Sequence, residues 1–351
     1  MPSAIPILSL APMQDVSVLP LWRCLERRGG ADLYVTEYFR VHRDSHPDKT
    51  ILRSVLSLGS AKPIQAQMIG NSAEDLVRTT LEIQRKTEEA GVPLAGMDLN
   101  LGCPAPKVCG KAAGGALLRE PDKIRAITHA LREVVTGKLT LKTRIGFESE
   151  SEFDELLPLF AELPIDGLTI HGRTVREKYR TPIHPDRIAE AVRVLPYPVT
   201  ANGNIVSVET ARALHEQTEA AGLMIGRGGI RNPWLFQQIR DSFVGLETVR
   251  PTFRDLQAYL EELAEEIRAE GDFDHETQLV HRMKKFTNYI VSGIHEGRLQ
   301  EELRRAQDRE SFDAICRDHL SSDEPFPHEP IEDGTLFCGF PALTHSILRE
   351  T

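Results

Sequence analysis

Gly96-Met97-Asp98-Leu99 runs straight into Asn100-Leu101-Gly102-Cys103-Pro104-Ala105-Pro106-Lys107, a short apolar segment that ends in a polar, thiol-bearing turn. A run this short, closed by a glycine-containing turn, reads as a parallel strand buried on both faces rather than a half-exposed one. The same unit recurs at Ile5 to Ala11, Asp32 to Thr36, Pro63 to Ile69, Leu139 to Arg144, Gly167 to His171, Pro198 to Asn202 and Gly222 to Ile225. Between these runs, Ala73 to Ala90, Pro121 to Val135 and Val208 to His215 have helical spacing and few breakers. Alternation of this kind through about residue 240 predicts a (β/α)₈ barrel, a fold of roughly 250 residues. An open doubly wound sheet ranks behind it, because no G-x-G-x-x-G follows the first strand and chemically interesting residues recur after nearly every strand.

The composition changes after Asn232-Pro233-Trp234, which reads as the start of the last barrel helix. Phe253 to Leu320 carries charged helical segments without a strand, so residues 1–245 are expected to form the catalytic barrel and 246–320 an all-helical domain. Residues 321–351 form a Pro-rich, acidic tail, expected to be extended or disordered. With 351 residues and 40% hydrophobic content, the chain can bury one large core and still supply a smaller second unit. The five cysteines at 24, 103, 109, 316 and 338 form no CxxC pair, which points to a reducing compartment and away from a metal site. No apolar run is long enough to span a membrane, and Ile5 to Ala11 lacks the length and basic flank of a signal peptide, so a cytoplasmic protein is expected. A net charge of −10 argues mildly against a nucleic-acid partner, but local distribution decides that matter. Glu261, Glu262, Glu265 and Glu266 can occupy a face that RNA never approaches.

Active sites of such barrels lie at the carboxyl ends of the strands. Ala11-Pro12-Met13, Gln67, Asn100 to Pro104, Lys142 with Arg144, His171-Gly172-Arg173, Asn202-Gly203-Asn204 and Gly226-Arg227-Gly228 all fall there. The last two turns suit a phosphate, since their backbone N–H groups can approach closely and Arg227 adds a charge-assisted contact. A lysine aimed into a barrel mouth needs an anion, because burying an unpaired ammonium is costly. Lys142 therefore predicts an anionic ligand. A lone histidine after an apolar run is most often a hydrogen-bonded core residue, but the strand-end position of His171 favours a ligand role. Most free cysteines are buried filler. Cys103 instead sits on a polar loop between a glycine and a proline, and Gly110, Gly114 and Gly115 follow, so the loop can move over a substrate. Cys109 is the competing thiol.

Together these pieces resemble the tRNA-dihydrouridine synthase family. The residues that carry the resemblance are Ala11-Pro12-Met13, Thr36-Glu37, Gln67-Met68-Ile69-Gly70, Asp98 to Pro104, Lys142-Thr143-Arg144, His171-Gly172-Arg173-Thr174, Asn202-Gly203-Asn204-Ile205 and Met224 to Gly228. The match is dense over the barrel and loose over the helical segment, through Val280 to Phe286. It implies FMN held by Pro12, Met13, Gln67, Lys142, His171, Asn202, Gly203, Asn204, Gly226 and Arg227, with NADPH or NADH as reductant and Cys103 as catalytic acid. It also implies a helical domain that grips tRNA, and a chain expected to act as a monomer. Met13-Gln14-Asp15-Val16-Ser17 departs from the Met-Glu-Gly-Val-Thr usual in the family, and Asn204 stands where an acidic residue is common. The segment from Tyr179 to His184 is similar to the bacterial C-type branch, which acts on position 16 of the D-loop.

Uracil C5=C6 is conjugated with the C4 carbonyl, so hydride delivered from reduced flavin to C6 leaves enolate charge over C5 and O4, and a proton must reach C5. A thiol is mostly protonated at neutral pH and can supply it. Lys142 with Gln67 would stabilise and orient the reduced ring. Asn100 is expected to orient the base, while Arg144, Arg173, Arg282, Lys284 and Lys285 are candidates for substrate contacts. Leu279, Met283, Phe286 and Ile290 would form the apolar face of the helix bearing the last three. Two rivals remain: an FMN barrel acting on a small molecule, as dihydroorotate dehydrogenases do, and an RNA-binding protein without catalysis.

Overall fold

Nine strands, all pairing in parallel, organise the first 225 residues of the computed structural model, which describes residues 5–58, 62–92, 94–271 and 275–327. They are β1 (Ile7–Leu10), β2 (Leu33–Val35), β3 (Phe39–Arg40), β4 (Ile64–Ile69), β5 (Gly96–Leu101), β6 (Lys138–Arg144), β7 (Gly167–His171), β8 (Val199–Asn202) and β9 (Gly222–Ile225). β1 pairs with β9 and with β2, and β2 with β4, so eight of the strands close into a barrel. The ninth, β3, adds to β4 at Met68 and Ile69, on the edge where β2 has already paired with Ile64 and Gln65. Thr36-Glu37-Tyr38 is the break between them. It projects side chains from the rim where a continuous strand would have kept them in the wall.

β7 and β9 have the bounds expected from the sequence, but β5 continues two residues further. Asn100 and Leu101 pair with Lys142 and Thr143, so Asn100 belongs to a strand rather than to a loop. Surrounding helices start where short-range chemistry lets them. Ser72 accepts from Asp75 N ahead of Ala73–Glu89, and Ser207 and Thr210 form a capping box before Val208–Thr218.

The helical C-terminal region contains Phe253–Glu270, Glu276–Ile290, Arg298–Arg305 and Arg309–Leu320. Leu279, Met283, Phe286 and Ile290 are buried, and one continuous apolar core joins this region to the barrel. Charge follows the same seam. Glu266 pairs with Arg23 at 3.1 Å and with Arg27, while Glu262 pairs with Arg28 at 2.6 Å, so these acids are turned onto Leu19–Glu26, the first barrel helix. Arg231 is buried and donates to the carbonyls of Ile290 and Ser292 and, at 2.8 Å, of Pro327. Ser321 to Pro327, the start of the tail expected to be extended or disordered, docks on the helical region: Pro325 bridges Thr252, and Phe326 is buried beside Trp234. The rest of the tail lies outside the described residues.

Candidate functional site

A cavity of roughly 600 Å³ opens at the carboxyl ends of the strands, within the size range of small-molecule sites. β6 and β8 set its floor. Lys142 donates through Nζ to Asn202 Oδ1 at 2.9 Å, and Asn202 is held in turn by its Nδ2 bond to the Met224 carbonyl. Burial lowers the lysine from its ordinary 10.5 to about 8, and the Arg144 charge adds to the effect. The nearby Asp98 carboxylate offers little relief. It accepts from Gln67 at 2.7 Å and Thr140 at 2.5 Å, and burial raises it to about 6.

His171, at the end of β7, is buried, and desolvation beside Arg144 and Lys142 holds it well below the usual imidazole range. It is therefore neutral at pH 7. Among the described residues its Nδ1 has no hydrogen-bond partner, and neither has Asn204 Nδ2. A buried polar atom left unmatched costs of the order of 1–3 kcal/mol, so both call for a ligand atom or water.

The far wall is made of Gly203, Asn204, Gly226, Arg227 and Gly228, with Pro12 and Met13 closing the side. Gly203 has φ +141°, and a Cβ there would meet Ile183 Cγ2 at 2.7 Å. At Gly228 a Cβ would lie 2.3 Å from the Ile205 carbonyl oxygen. Side chains are excluded at both positions, which brings backbone to the cavity surface as a phosphate cradle requires.

Cys103 stands across this cavity from the β8 and β9 turns, partly exposed. Asn100 holds it there: Oδ1 accepts from the N–H groups of Gly102 and Cys103, at 3.1 and 2.9 Å, while Nδ2 donates to Gln67. The amide expected to orient a base is thus spent on the thiol loop. Gln67, expected to touch a cofactor, lies beneath the cavity and bridges Asp98 and Asn100. Arg144 lines the cavity and donates to the carbonyls of Gly102, Thr174 and Lys178, tying two loops together. Arg173, expected to contact substrate, is fully buried and donates to Thr181 O and Asn204 Oδ1. Lys284 caps the end of Arg298–Arg305, donating to the Arg304 and Ala306 carbonyls. Arg282 and Lys285 reach Asp15 on the loop after β1, at 3.8 and 3.3 Å, and Lys285 stays over a third exposed.

Three tyrosines line the cavity wall without having been expected there: Tyr38, Tyr289 and Tyr179, the last named from the sequence only as the start of the segment to His184. Tyr179 packs against His171 with the two rings nearly perpendicular and sits against the Arg144 and Arg227 guanidinium groups, 5.2 and 4.8 Å from its ring centre. Tyr289 comes from Glu276–Ile290, so the helical region completes the wall. Only the proximity of Tyr38 to the Thr36-Glu37 pair, and of Tyr179 to His171-Gly172-Arg173-Thr174, could have pointed to them.

The sequence matches the dihydrouridine synthase (Dus) model over residues 9–323, almost the whole described chain. The chain belongs to the dihydrouridine synthase family. It is 36% identical over 234 residues to tRNA-dihydrouridine synthase B of Pseudomonas putida, covering 66% of this chain and 67% of that one. Against tRNA-dihydrouridine(16) synthase of Neisseria meningitidis the figures are 34% over 239 residues, 66% and 70%. These identities establish the family and do not separate the two branches. Among solved structures, histamine dehydrogenase from Rhizobium sp. 4-9 shares the fold, with a TM-score of 0.52, 12% identity and coverage of 73% of this chain and 49% of that one. As a dihydrouridine synthase the protein is a flavin-dependent oxidoreductase. Its cavity fits that cofactor: a half-buried ammonium with no carboxylate in contact among the described residues, unmatched His171 and Asn204 nitrogens, and a glycine-lined phosphate end. Among the described residues no group of acidic, histidine or cysteine side chains could hold a metal, and no helix is long and apolar enough to cross a membrane.

Proposed function

We propose that this dihydrouridine synthase reduces a uridine of the tRNA D-loop, at position 16, to 5,6-dihydrouridine, with FMN as cofactor and NADPH as reductant. Bound in the cavity, FMN supplies the hydride that goes to C6 of the uracil ring. Lys142 provides the counter-charge for the pyrimidine side of the flavin, His171 and Asn204 offer their unmatched nitrogens, and the Gly203, Gly226 and Arg227 turns take the phosphate. Cys103 holds the proton that C5 receives. The observation that carries this reading is that the Cys103 thiol and the Lys142 ammonium open onto one cavity, the thiol fixed through the Asn100 bonds to its loop.

A tRNA substrate is favoured over a small molecule by the helical region. Tyr289 forms part of the cavity wall, and Arg282 and Lys285 on the same helix pair with Asp15, the residue after Gln14 of the cavity lining. The target base must leave its stack to enter. Two measurements test the proposal. Position 16 of tRNA from a deletion strain should lack dihydrouridine and regain it on complementation; unchanged tRNA would leave the small-molecule reading. In rapid mixing, Cys103→Ala should keep flavin reduction by NADPH and lose about 10² to 10⁴-fold in reoxidation by tRNA, whereas Cys109→Ala stays within a small factor. Wild-type reoxidation by Cys103→Ala would remove the thiol from the chemistry.

A further inference from the structure

A second cavity, of roughly 570 Å³, lies beside the first. Gln14 and Tyr38 line both, and the Tyr38 hydroxyl donates to Gln14 Oε1 at 2.9 Å, so two hydrogen-bonded side chains stand between them. The barrel supplies most of the wall, through the loop after β1, the first barrel helix, the break between β2 and β3, and the segment that follows β3; the helical region contributes Arg282. Several of the polar side chains here are already matched. Ser17 Oγ donates to the Ala11 carbonyl, Thr36 Oγ1 accepts from Gln67 N, Ser54 Oγ donates to the Thr50 carbonyl, and Asp48 Oδ1 accepts from the N–H groups of Thr50 and Ile51. Two are not. Among the described residues Glu37 Oε1 and Trp22 Nε1 are buried atoms without a hydrogen-bond partner, and the whole Trp22 side chain is buried. The carboxylate oxygen is an acceptor and the indole nitrogen a donor, and leaving either unmatched costs stability. Burial raises the Glu37 carboxyl to about 7, and the Asp15 charge adds to the effect, which is the state of a carboxylate short of donors.

The lining selects among ligands. A phosphate would meet the carboxylates of Asp15, Glu37, Asp44 and Asp48. Among the described residues no group of acidic, histidine or cysteine side chains could hold a metal. An apolar molecule would leave Glu37 and Trp22 unmatched. What fits is a neutral group with a donor and an acceptor on one edge, which is what a nucleobase presents. We infer that this cavity is a second base subsite, which takes a nucleobase adjacent to the target uridine in the same RNA, Glu37 accepting from a base N–H and Trp22 donating to a base acceptor. The shared wall suits neighbouring nucleotides, since one strand that puts a base into the flavin cavity carries the next base past Gln14 and Tyr38. The exposed Arg40 guanidinium adds positive charge for the sugar–phosphate chain that joins the two.

The subsite rests on tRNA being the substrate, and one set of ligands tests both claims. Flavin-loaded protein is titrated with intact tRNA and with two abasic tRNAs, each lacking the base on one side of the target uridine but keeping its ribose and phosphate. A hydrogen bond to a charged group is worth about 10- to 100-fold in affinity when lost. Wild type should therefore bind one of the two abasic tRNAs more weakly than intact tRNA by that factor. Glu37→Met, which removes the acceptor at similar length, should bind intact tRNA more weakly by a similar factor and should no longer distinguish it from that abasic tRNA, so that the two losses do not add. Glu37→Gln, which keeps an acceptor, should lie between. If wild type binds all three tRNAs alike, a result that depends on no variant folding, the cavity holds water only and the inference is overturned while the tRNA substrate stands. If the losses from Glu37→Met and from the missing base add in full, that base is read elsewhere and the inference is again overturned. If wild type binds none of the three, the tRNA reading itself falls and takes the subsite with it.

Discussion

Replacing Lys142 by methionine should make the flavin-free protein more stable and the flavin complex weaker, two effects of opposite sign from one side chain. The ammonium is half-buried near the end of β6 with Asn202 Oδ1 as its hydrogen-bond acceptor, and desolvation holds it at about 8 against an ordinary 10.5. That displacement corresponds to about 3 kcal/mol of native-state destabilisation at neutral pH. Methionine has similar length and carries no charge, but it forfeits the Asn202 bond, worth about 1 kcal/mol, so the net gain should be about 2 kcal/mol. The sign with pH follows from proton counting. Between about pH 8 and 10.5 the unfolded chain binds the proton and the folded one does not, so wild-type stability rises across that window. The advantage of Lys142→Met should thus be full below about pH 8 and fade towards about pH 10.5. Urea unfolding of flavin-free protein across this range measures it. Flavin titration should show affinity reduced about 10- to 100-fold, as for a lost hydrogen bond to a charged group. A flavin-free Lys142→Met protein that unfolds in less urea than wild type at pH 7 would refute the claim that the ammonium awaits an anion, as would unchanged flavin affinity.

The basic cluster of Glu276–Ile290 should divide by role. Arg282→Ala with Lys285→Ala should weaken tRNA binding and reduce the slope of log affinity against log salt by about 1 to 2, whereas Lys284→Ala should cost about 1 kcal/mol of stability through the exposed end of Arg298–Arg305 and leave the slope alone. Arg231→Met would strand the carbonyls of Ile290, Ser292 and Pro327, so a loss of about 3–5 kcal/mol is expected, read by thermal unfolding, with protease cleavage appearing first in the helical region.

The barrel was legible because its strands are buried on both faces, so each announces itself as a short apolar run closed by a turn. β7 and β9 could be bounded to the residue in this way, and the same reading put Cys103, Lys142, His171 and the glycine turns at the strand ends where a barrel collects its chemistry. What each polar side chain does there could not be read from the run that contains it. Arg144 and Lys142 share a strand two residues apart and both line the cavity, yet one ties two loops together through three carbonyls and the other bonds Asn202. Lys284 and Lys285 are adjacent, yet one caps a helix and the other meets Asp15. Tyr38 left no periodic signal, since it enters the cavity only where pairing with β4 breaks between β2 and β3. Local pattern records how the backbone presents a residue to its near neighbours, and that determined the barrel and the set of candidates. The assignment of donors to acceptors is made between residues far apart in the chain, as with Lys142 and Asn202 or Arg231 and Pro327. Burial makes each unmatched polar group costly, so those partnerships form only once the tertiary fold has brought the partners together.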